Sequence, residues 1–170
     1  MIIWINGSFG SGKTSVAHEL NKMIEQSYLY DPEEVGQFLM KNMPRELQKS
    51  DFQDHQLWRT VNFDVLKYID QEYDGTIIVP MTLVSEEYYK AIVAKLKERD
   101  IEIRMFTLLA SYETLTERLI KRGEIEGAWA FQQVERCVAG LKNTLFREHI
   151  KTDDMSIREV AEHIVKQCME

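Results

Sequence analysis

The first fourteen residues, Met1–Thr14, read MIIWINGSFGSGKT and decide the fold. The apolar run Ile2–Ile5 is typical of a fully buried β-strand. The next segment, Gly7–Thr14, fits the phosphate-binding loop pattern G-x-x-x-x-G-K-S/T, which follows a strand and opens a helix. Glycine takes backbone angles that a side chain forbids, so the main chain can curl around an anion and point its N–H groups at phosphate oxygens. This stretch therefore predicts a strand, a phosphate cradle and a helix in direct succession.

The loop also predicts which side chains meet a nucleotide. In this pattern the lysine contacts the β- and γ-phosphates, and the hydroxyl of the next residue ligates Mg²⁺. Lys13 is therefore a predicted catalytic and nucleotide-binding residue, and Thr14 is a predicted nucleotide-binding residue and Mg²⁺ ligand. The other nucleotide-binding residues that we expect are Gly7, Ser8, Phe9, Gly10, Ser11 and Gly12. The alternative, a glycine-rich turn that binds nothing, does not account for the strand before the loop and the helix after it.

The composition suits one domain, 1–170, that is large enough to bury a core: 44% of its residues are hydrophobic and 29% are charged. The net charge of -7 argues against a nucleic-acid partner. The two cysteines, Cys137 and Cys168, fall in helical patterns without disulfide or metal spacing, which predicts core residues and a cytoplasmic location. No apolar stretch is long enough for an integral membrane segment. The sequence gives no indication of the oligomeric state.

Strand and helix patterns alternate along the chain, which predicts an α/β fold with a five-stranded parallel sheet and helices on both faces. The predicted strands are 2–5, 27–30, 76–79, 101–109 and 148–151. The predicted helices are 14–26, 32–42, 51–73, 85–99, 111–122, 128–143 and a last helix that begins near 156. Ligands bind beyond the carboxyl ends of such strands. We therefore expect one crevice lined by Asn6, Asp31, Pro80–Thr82, Ala110–Ser111 and Thr152–Asp153, with Asp153 as a nucleotide-binding residue.

Capping patterns predict several helix starts. Asp31 precedes Pro32-Glu33-Glu34, and Ser50 precedes Gln53 by three residues, which indicates a helix from about Asp51. Ser156 and Glu159 form the same pattern before the last helix. On that helix, the residues with a core-facing period are Ile157, Val160, Ala161, Ile164 and Val165.

Several strings, in order from Trp4 to Ile164, resemble the TmrB-type tunicamycin-resistance proteins, among them WINGSFGSGKT, YLYDPEEVG, IIVPMT and HIKTDDMSI. More broadly, the chain resembles the small P-loop kinases, which include adenylate, shikimate, gluconate and antibiotic kinases. The resemblance implies a three-layer sandwich with strand order 2-3-1-4-5, ATP and Mg²⁺ as cofactors, and a small-molecule substrate. It also implies a substrate-side helical insertion at about 32–73 and a lid at about 122–130.

Asp31 follows the second predicted strand. In the related kinases an acid at this place contacts the acceptor hydroxyl or a Mg²⁺-bound water, so the resemblance makes Asp31 a catalytic, substrate-binding and metal-binding candidate. The alternative is an N-cap for the helix that begins at Pro32, worth about 1 kcal/mol. The two roles are compatible only if they use different carboxylate oxygens.

Three basic residues, Arg118, Lys121 and Arg122, share one helix face that leads into the glycine-bounded loop 123–127. By resemblance to adenylate kinases, Arg118 stacks on adenine and Arg122 reaches the phosphates. A planar, permanently charged guanidinium suits both tasks. The alternative is a solvated basic face that pairs with Glu117 or Glu124.

Three further residues have two interpretations each. Arg136 either reaches the γ-phosphate or pairs on the surface with Glu135 or Glu148. Arg59 either grips a substrate phosphate or carbonyl, with Trp58 as a stacking face, or extends along the surface beside a packed indole.

The third predicted strand ends in Val79-Pro80-Met81-Thr82, without the acid that helps to hold Mg²⁺ in many P-loop ATPases. Small metabolite kinases often lack that acid, so its absence favours a kinase-like role over a mechanochemical one. The leading hypothesis is an ATP- and Mg²⁺-dependent transfer of the γ-phosphoryl group to a small-molecule hydroxyl, possible ligands including a nucleoside antibiotic such as tunicamycin. The rival hypothesis is a protein that sequesters the drug or acts as an ATP-gated switch, with little turnover.

Overall fold

The apolar run at the amino terminus forms the central strand, β1 (Ile2–Gly7), and every residue of this strand is buried. It pairs in parallel with β3 (Thr76–Pro80) on one side and with β4 (Ile103–Leu109) on the other. A parallel strand covered on both faces needs a continuous apolar sequence, which Ile2–Ile5 supplies.

The computed structural model describes residues 1–146 and 148–169. The sheet is completed by β2 (Ser27–Leu29) and β5 (His149–Lys151), and its order is β2-β3-β1-β4-β5 with parallel pairing throughout. The helices are α1 (Lys13–Met23), α2 (Pro32–Lys41), α3 (Gln56–Glu72), α4 (Glu86–Tyr89), α5 (Lys95–Lys97), α6 (Tyr112–Lys121), α7 (Trp129–Gly140) and α8 (Ile157–Met169). This arrangement confirms the predicted fold class and strand order.

Two apolar clusters cover the two faces of the sheet, because alternate residues of a strand point to opposite sides. Ile2 and Trp4 belong to the larger cluster, which includes residues of α3 and α7. Ile3 and Ile5 belong to the second cluster, which includes residues of α1 and α8. Each fully buried side chain of this size contributes roughly 1.5–3 kcal/mol. The core thus fixes β1, and with it the start of the loop that follows.

The predicted helix from about Asp51 to Tyr73 is wrong at its start. Asp51 instead caps a short 3₁₀ turn, Phe52–Asp54, by accepting the Gln53 N–H at 2.9 Å, and α3 begins only at Gln56. The physical reason is the side chain of Gln53, which is buried and donates to the carbonyl of Thr82 at 2.9 Å. That contact across the fold turns the chain away from a helical path.

Other predicted elements agree in type. The segment predicted as one helix over 85–99 consists of α4, a π-helical stretch at Lys90–Ala94, and α5. The capping box of the last helix is formed as predicted: the Ser156 N–H donates to Glu159 Oε2 at 2.7 Å and the Glu159 N–H donates to Ser156 Oγ at 3.2 Å. Within the residues described, no helix combines the length and apolar character needed to cross a bilayer.

Candidate functional site

The loop between β1 and α1 has a shape that only glycine permits. Gly10 has a φ of 79°, and a Cβ at this position would lie 2.6 Å from the carbonyl oxygen of Leu115. Gly12, which precedes α1, has a φ of 90°. Because side chains rarely adopt this backbone conformation, the glycines set the curl and leave room inside it.

Lys13 points back over this loop. Its Nζ donates to the carbonyl of Ser8 at 3.0 Å and lies 5.6 Å from the centre of the Phe9 ring. Burial lowers the pKa of Lys13 to about 8, while the negative charges of Glu33 and Asp31 act in the opposite direction. A partly desolvated ammonium is stabilised by an anion placed beside it.

The loop also contains a hydroxyl without a protein partner. Ser11 Oγ is buried and has no hydrogen-bond partner within the described part of the chain. That hydroxyl packs against Gly7, since a Cβ at Gly7 would lie 2.5 Å from it. The glycine curl and the half-buried ammonium of Lys13 are the features that fit a bound oxyanion. The residues present therefore fit the phosphate tail of a nucleotide, and Thr14, which is exposed, is free to meet a cation at that tail.

A cavity of about 1060 Å³ opens over the loop. Its walls come from the loop and the start of α1, from the end of α6, from the segment 122–130, and from the first residue of α8. It joins the predicted nucleotide-binding residues Lys13, Thr14, Arg118 and Arg122 in one space. Ile157 also belongs to this wall and is 37% exposed, which corrects the expectation that it faces the core.

Arg118 is held at the edge of the cavity by one residue. Its guanidinium donates to the carbonyl of Thr152 at 2.6 Å and to the hydroxyl of Thr152 at 3.2 Å. These contacts fix the edge of a planar group and leave its faces for stacking. The geometry suits the predicted contact with a nucleotide base, which stays a prediction.

Arg122 directly follows α6, and its side chain is weakly restrained. It is 64% exposed in its side chain, and its closest acidic partner, Glu124, lies 3.9 Å away. A surface pair of this kind contributes little, so Arg122 can leave it at little cost. Its role at the phosphates stays a prediction.

Arg136 takes a different partner from those expected. Its guanidinium lies 3.6 Å from Asp51 Oδ2, rather than pairing with Glu135 or Glu148, and it is not part of the cavity wall. A catalytic role for Arg136 requires that this ion pair break, and that role stays a prediction.

An aromatic contact joins the loop to α7. The rings of Phe9 and Trp129 meet edge to face, with centroids 5.2 Å apart and an interplanar angle of 81°. Trp129 belongs to the cavity wall and is 43% exposed. Sequence reasoning missed Trp129, although a tryptophan directly after a glycine-bounded loop is a signal for a ligand-facing side chain.

Two carboxylates follow β2. Asp31 Oδ1 accepts the Glu33 N–H at 2.9 Å, so the capping alternative is correct and occupies one oxygen. Glu33 belongs to the cavity wall, whereas Asp31 does not. Burial, followed by the charge of Asp31, raises the pKa of Glu33, and Lys13 and Arg122 act in the opposite direction. Glu33 was missed because the sequence assigned it only to the first turn of a helix and gave the possible chemistry to Asp31.

Trp58 and Arg59 are committed to the fold, which corrects their predicted substrate roles. Trp58 is fully buried and its indole N–H donates to the carbonyl of Pro32 at 2.9 Å. Arg59 donates to the carbonyl of Gln53 at 2.6 Å, pairs with Glu87 at 3.3 Å, and lies 4.6 Å from the centre of the Tyr88 ring. Neither side chain belongs to the cavity wall.

The carboxyl ends of β1 and β3 are tied together by polar side chains. Asn6 donates to the carbonyl of Leu83 at 2.9 Å and accepts its N–H at 2.8 Å, and the Thr82 hydroxyl donates to the carbonyl of Gly7 at 2.7 Å. Asn6 and Thr82 are both buried, so they position the loop rather than face a ligand.

Asp153 also has a structural task. Its Oδ1 accepts the Ser111 N–H and the Thr114 hydroxyl, both at 2.8 Å, and it is not part of the cavity wall. These hydrogen bonds hold the pKa of Asp153 below its usual value. Asp153 thus anchors the start of α6 through one carboxylate oxygen, and its contact with the nucleotide stays a prediction.

Comparison with known proteins agrees with this geometry. Residues 2–145 match the family model described as AAA domain. A tunicamycin resistance protein of Deinococcus radiodurans has a similar structure, with a TM-score of 0.84 and 35% identity over 98% of this chain and 94% of that chain. No curated protein sequence matches this chain.

More distant structures share the fold. A sugar kinase of Janibacter sp. HTCC2649 matches with a TM-score of 0.69 and 16% identity over 99% of this chain and 94% of that chain. The shikimate kinase of Acinetobacter baumannii matches with a TM-score of 0.65 and 17% identity over 99% of this chain and 92% of that chain. At these identities the similarity concerns the fold, which is that of the P-loop kinases.

Proposed function

Because this chain belongs to the tunicamycin resistance proteins and to the AAA domain family, with the fold of a P-loop kinase, we propose that it is an ATP- and Mg²⁺-dependent small-molecule phosphotransferase. It transfers the γ-phosphoryl group to a hydroxyl. The structure that bears this name in Deinococcus radiodurans makes tunicamycin the first acceptor to test. We place its action in the cytoplasm, as one domain without a nucleic-acid partner.

One observation carries the proposal. The buried ammonium of Lys13 and the guanidinium groups of Arg118 and Arg122 converge on one cavity with the carboxylate of Glu33. Cations around the phosphates with an acid beside them are what a phosphoryl transfer needs, because catalysis of this reaction is mostly positioning and charge stabilisation.

The residues of this chain divide the work as follows. The loop amides and Lys13 bind the β- and γ-phosphates, Arg118 stacks on the base, and Arg122 adds positive charge at the transferring group. Thr14 and Asp31 would hold Mg²⁺, which would neutralise charge on the phosphate oxygens.

Two segments complete the site in this proposal. The segment 122–130 is a lid, and the Phe9–Trp129 contact ties its far end to the loop. Closure of such a segment excludes water, which limits loss of the phosphoryl group to hydrolysis. The helical segment 32–73 forms the acceptor side next to Asp31 and Glu33.

The experiment is a transfer assay with γ-labelled ATP, Mg²⁺ and tunicamycin. Transfer is supported by a labelled product that requires Lys13 and whose yield falls in Asp31→Asn. A missing product at saturating nucleotide and acceptor counts against transfer to this acceptor.

The rival function is drug sequestration or an ATP-gated switch. It is favoured by the end of β3, where Val79–Thr82 offers no carboxylate to hold Mg²⁺, and by the engagement of Arg136 with Asp51. Tight, stoichiometric binding of tunicamycin without a labelled product supports this rival.

A further inference from the structure

Glu33 is the residue of α2 that lies in the cavity wall. Its side chain is half-buried and belongs to the same wall as Lys13 and Arg122. Among the charged residues that affect the pKa of Lys13, Glu33 has the largest effect. Glu34, the next residue, is exposed and is not part of the wall. The wall contains two carboxylates, Glu33 and Glu124, and Glu33 is the one that acts on Lys13, so we place Glu33 at the phosphate end of the site.

The cations that act on Glu33 are Lys13 and Arg122, which belong to the loop and to the end of α6 rather than to the acceptor side. The segment 32–73, all of which the structure describes, contains five basic residues that are not part of the cavity wall: Lys41, Arg45, Lys49, Arg59 and Lys67. Arg59 of α3 donates to the carbonyl of Gln53, pairs with Glu87 and packs on the ring of Tyr88. The positive groups of the cavity come from the loop, from α6 and from its end.

We propose, resting on the phosphotransferase function above, that Glu33 accepts the hydrogen bond of the acceptor hydroxyl and that the site takes acceptors without negative charge. The substrate class is then a neutral or cationic alcohol, such as a sugar or nucleoside hydroxyl. Phosphomonoesters and carboxylates are excluded.

The physical reason is charge crowding. A γ-phosphate in the loop and the Glu33 carboxylate place two anions on either side of the acceptor position. A hydroxyl between them donates to Glu33 and is stabilised, whereas an anionic group is repelled by both. A site for an anionic acceptor needs a free arginine or lysine on the acceptor side, and Arg59 is not free.

The first test measures nucleotide affinity and does not depend on an acceptor. Glu33→Gln removes the negative charge beside the terminal phosphate but keeps the α2 cap, because the cap uses the Glu33 backbone N–H. We expect it to tighten Mg²⁺-bound AMP-PNP about 3–10-fold and ADP by less, as measured by calorimetry. The matched control is Glu34→Gln, which removes the same charge from the same helical turn and should leave both affinities within about twofold.

If Glu33→Gln and Glu34→Gln bind AMP-PNP with equal affinity, the position of Glu33 beside the terminal phosphate is overturned. So would an equal gain for AMP-PNP and ADP, because Glu33 would then act on the protein as a whole rather than on the terminal phosphate.

The second test compares acceptors that share a skeleton but differ in charge. The pairs are uridine with uridine 5′-monophosphate and glucose with glucose 6-phosphate, together with tunicamycin, each with γ-labelled ATP and Mg²⁺. We expect label only on neutral members, and we expect Glu33→Gln to lower the yield at least about tenfold relative to Glu34→Gln.

The outcomes separate the two proposals. Label on a phosphomonoester overturns this inference and leaves the phosphotransferase function standing. If no neutral acceptor is labelled but Glu33→Gln still tightens AMP-PNP over ADP, the transfer function fails and the position of Glu33 at the terminal phosphate is supported.

Discussion

The loop at 7–14 and the helical segment at 32–73 differ in how they use their polar groups. In the loop, the ammonium of Lys13 is partly desolvated, so an anionic ligand beside it would stabilise its charge. Ser11 Oγ has no hydrogen-bond partner within the described residues. In the helical segment, Trp58 and Arg59 each donate a hydrogen bond to a protein carbonyl, and Arg59 also pairs with Glu87. The ammonium of Lys13 can still gain an anionic partner, whereas the donors of Trp58 and Arg59 are engaged with acceptors of the fold.

This difference decides which substitutions should affect binding and which should affect stability. The largest effect is expected for Lys13→Ala, because a charge that contacts two phosphates is lost. ATP affinity should fall by at least about a thousandfold, or roughly 4 kcal/mol, in calorimetry with Mg²⁺. Lys22→Ala, which removes an exposed lysine of the same helix, is the control and should bind ATP normally. Near-normal ATP affinity in Lys13→Ala would contradict the site assignment.

Trp58→Ala should show the opposite profile. Removal of a fully buried indole leaves a cavity and strands the Pro32 carbonyl, which should lower the free energy of unfolding by about 3–4 kcal/mol in urea titrations. ATP affinity of the folded fraction should stay within about twofold of wild type. Leu57→Ala, at an adjacent residue that is 50% exposed, should cost well under half as much. A strong loss of ATP binding with unchanged stability would restore the substrate role of Trp58.

Trp129→Ala tests whether the Phe9–Trp129 contact, which joins the phosphate-binding loop to α7, contributes to ATP binding. The edge-to-face pair with Phe9 is worth about 1 kcal/mol, so ATP should bind about fivefold more weakly if closure of segment 122–130 needs this pair. Trp4 and Trp58 are fully buried, so Trp129 should dominate a nucleotide-dependent change in tryptophan emission. Ile125→Ala, at a residue of the same segment that is 80% exposed, provides the comparison and should change neither signal. An emission change that survives in Trp129→Phe would refute this link.

The smallest effect is expected for Asp153→Asn. The hydrogen bonds from Ser111 and Thr114 place the pKa of Asp153 below its ordinary value of 3.8, so the carboxylate stabilises the fold at neutral pH and loses this contribution as the pH falls through the folded-state pKa. Because the group is solvent-exposed, Tm at pH 7 should fall by only about 1–2 °C. The melting curves of wild type and variant should converge in acid. Lost nucleotide affinity with an unchanged Tm would instead support a binding role.

The sequence predicts the donor side well because the loop is local. Gly12 acts through its own backbone angles and Lys13 through a contact with Ser8, so a short pattern specifies them, whereas the close approach of Gly10 to Leu115 is a contact between distant residues. The strand order follows from the family resemblance and from apolar runs long enough to identify each strand.

The acceptor side depends on contacts between distant residues, which no local pattern contains. The local pattern at Asp51 predicts a helix start, but a 3₁₀ turn forms there because Gln53 donates to the carbonyl of Thr82 across the fold. Glu33 looks like a first-turn acid until the packing of α2 places it in the wall that Lys13 shares. Such residues have two local interpretations, and only the tertiary structure chooses between them.

The central claim is that the loop holds a triphosphate whose terminal phosphate faces Glu33. A crystal structure with Mg²⁺ and the β,γ-methylene analogue of ATP tests it most directly. We expect the β- and γ-phosphates inside the curl of 7–14, with Lys13 Nζ within hydrogen-bond distance of both and Glu33 beside the γ-phosphate. An empty loop at saturating analogue, or a loop filled by its own side chains, would contradict the claim.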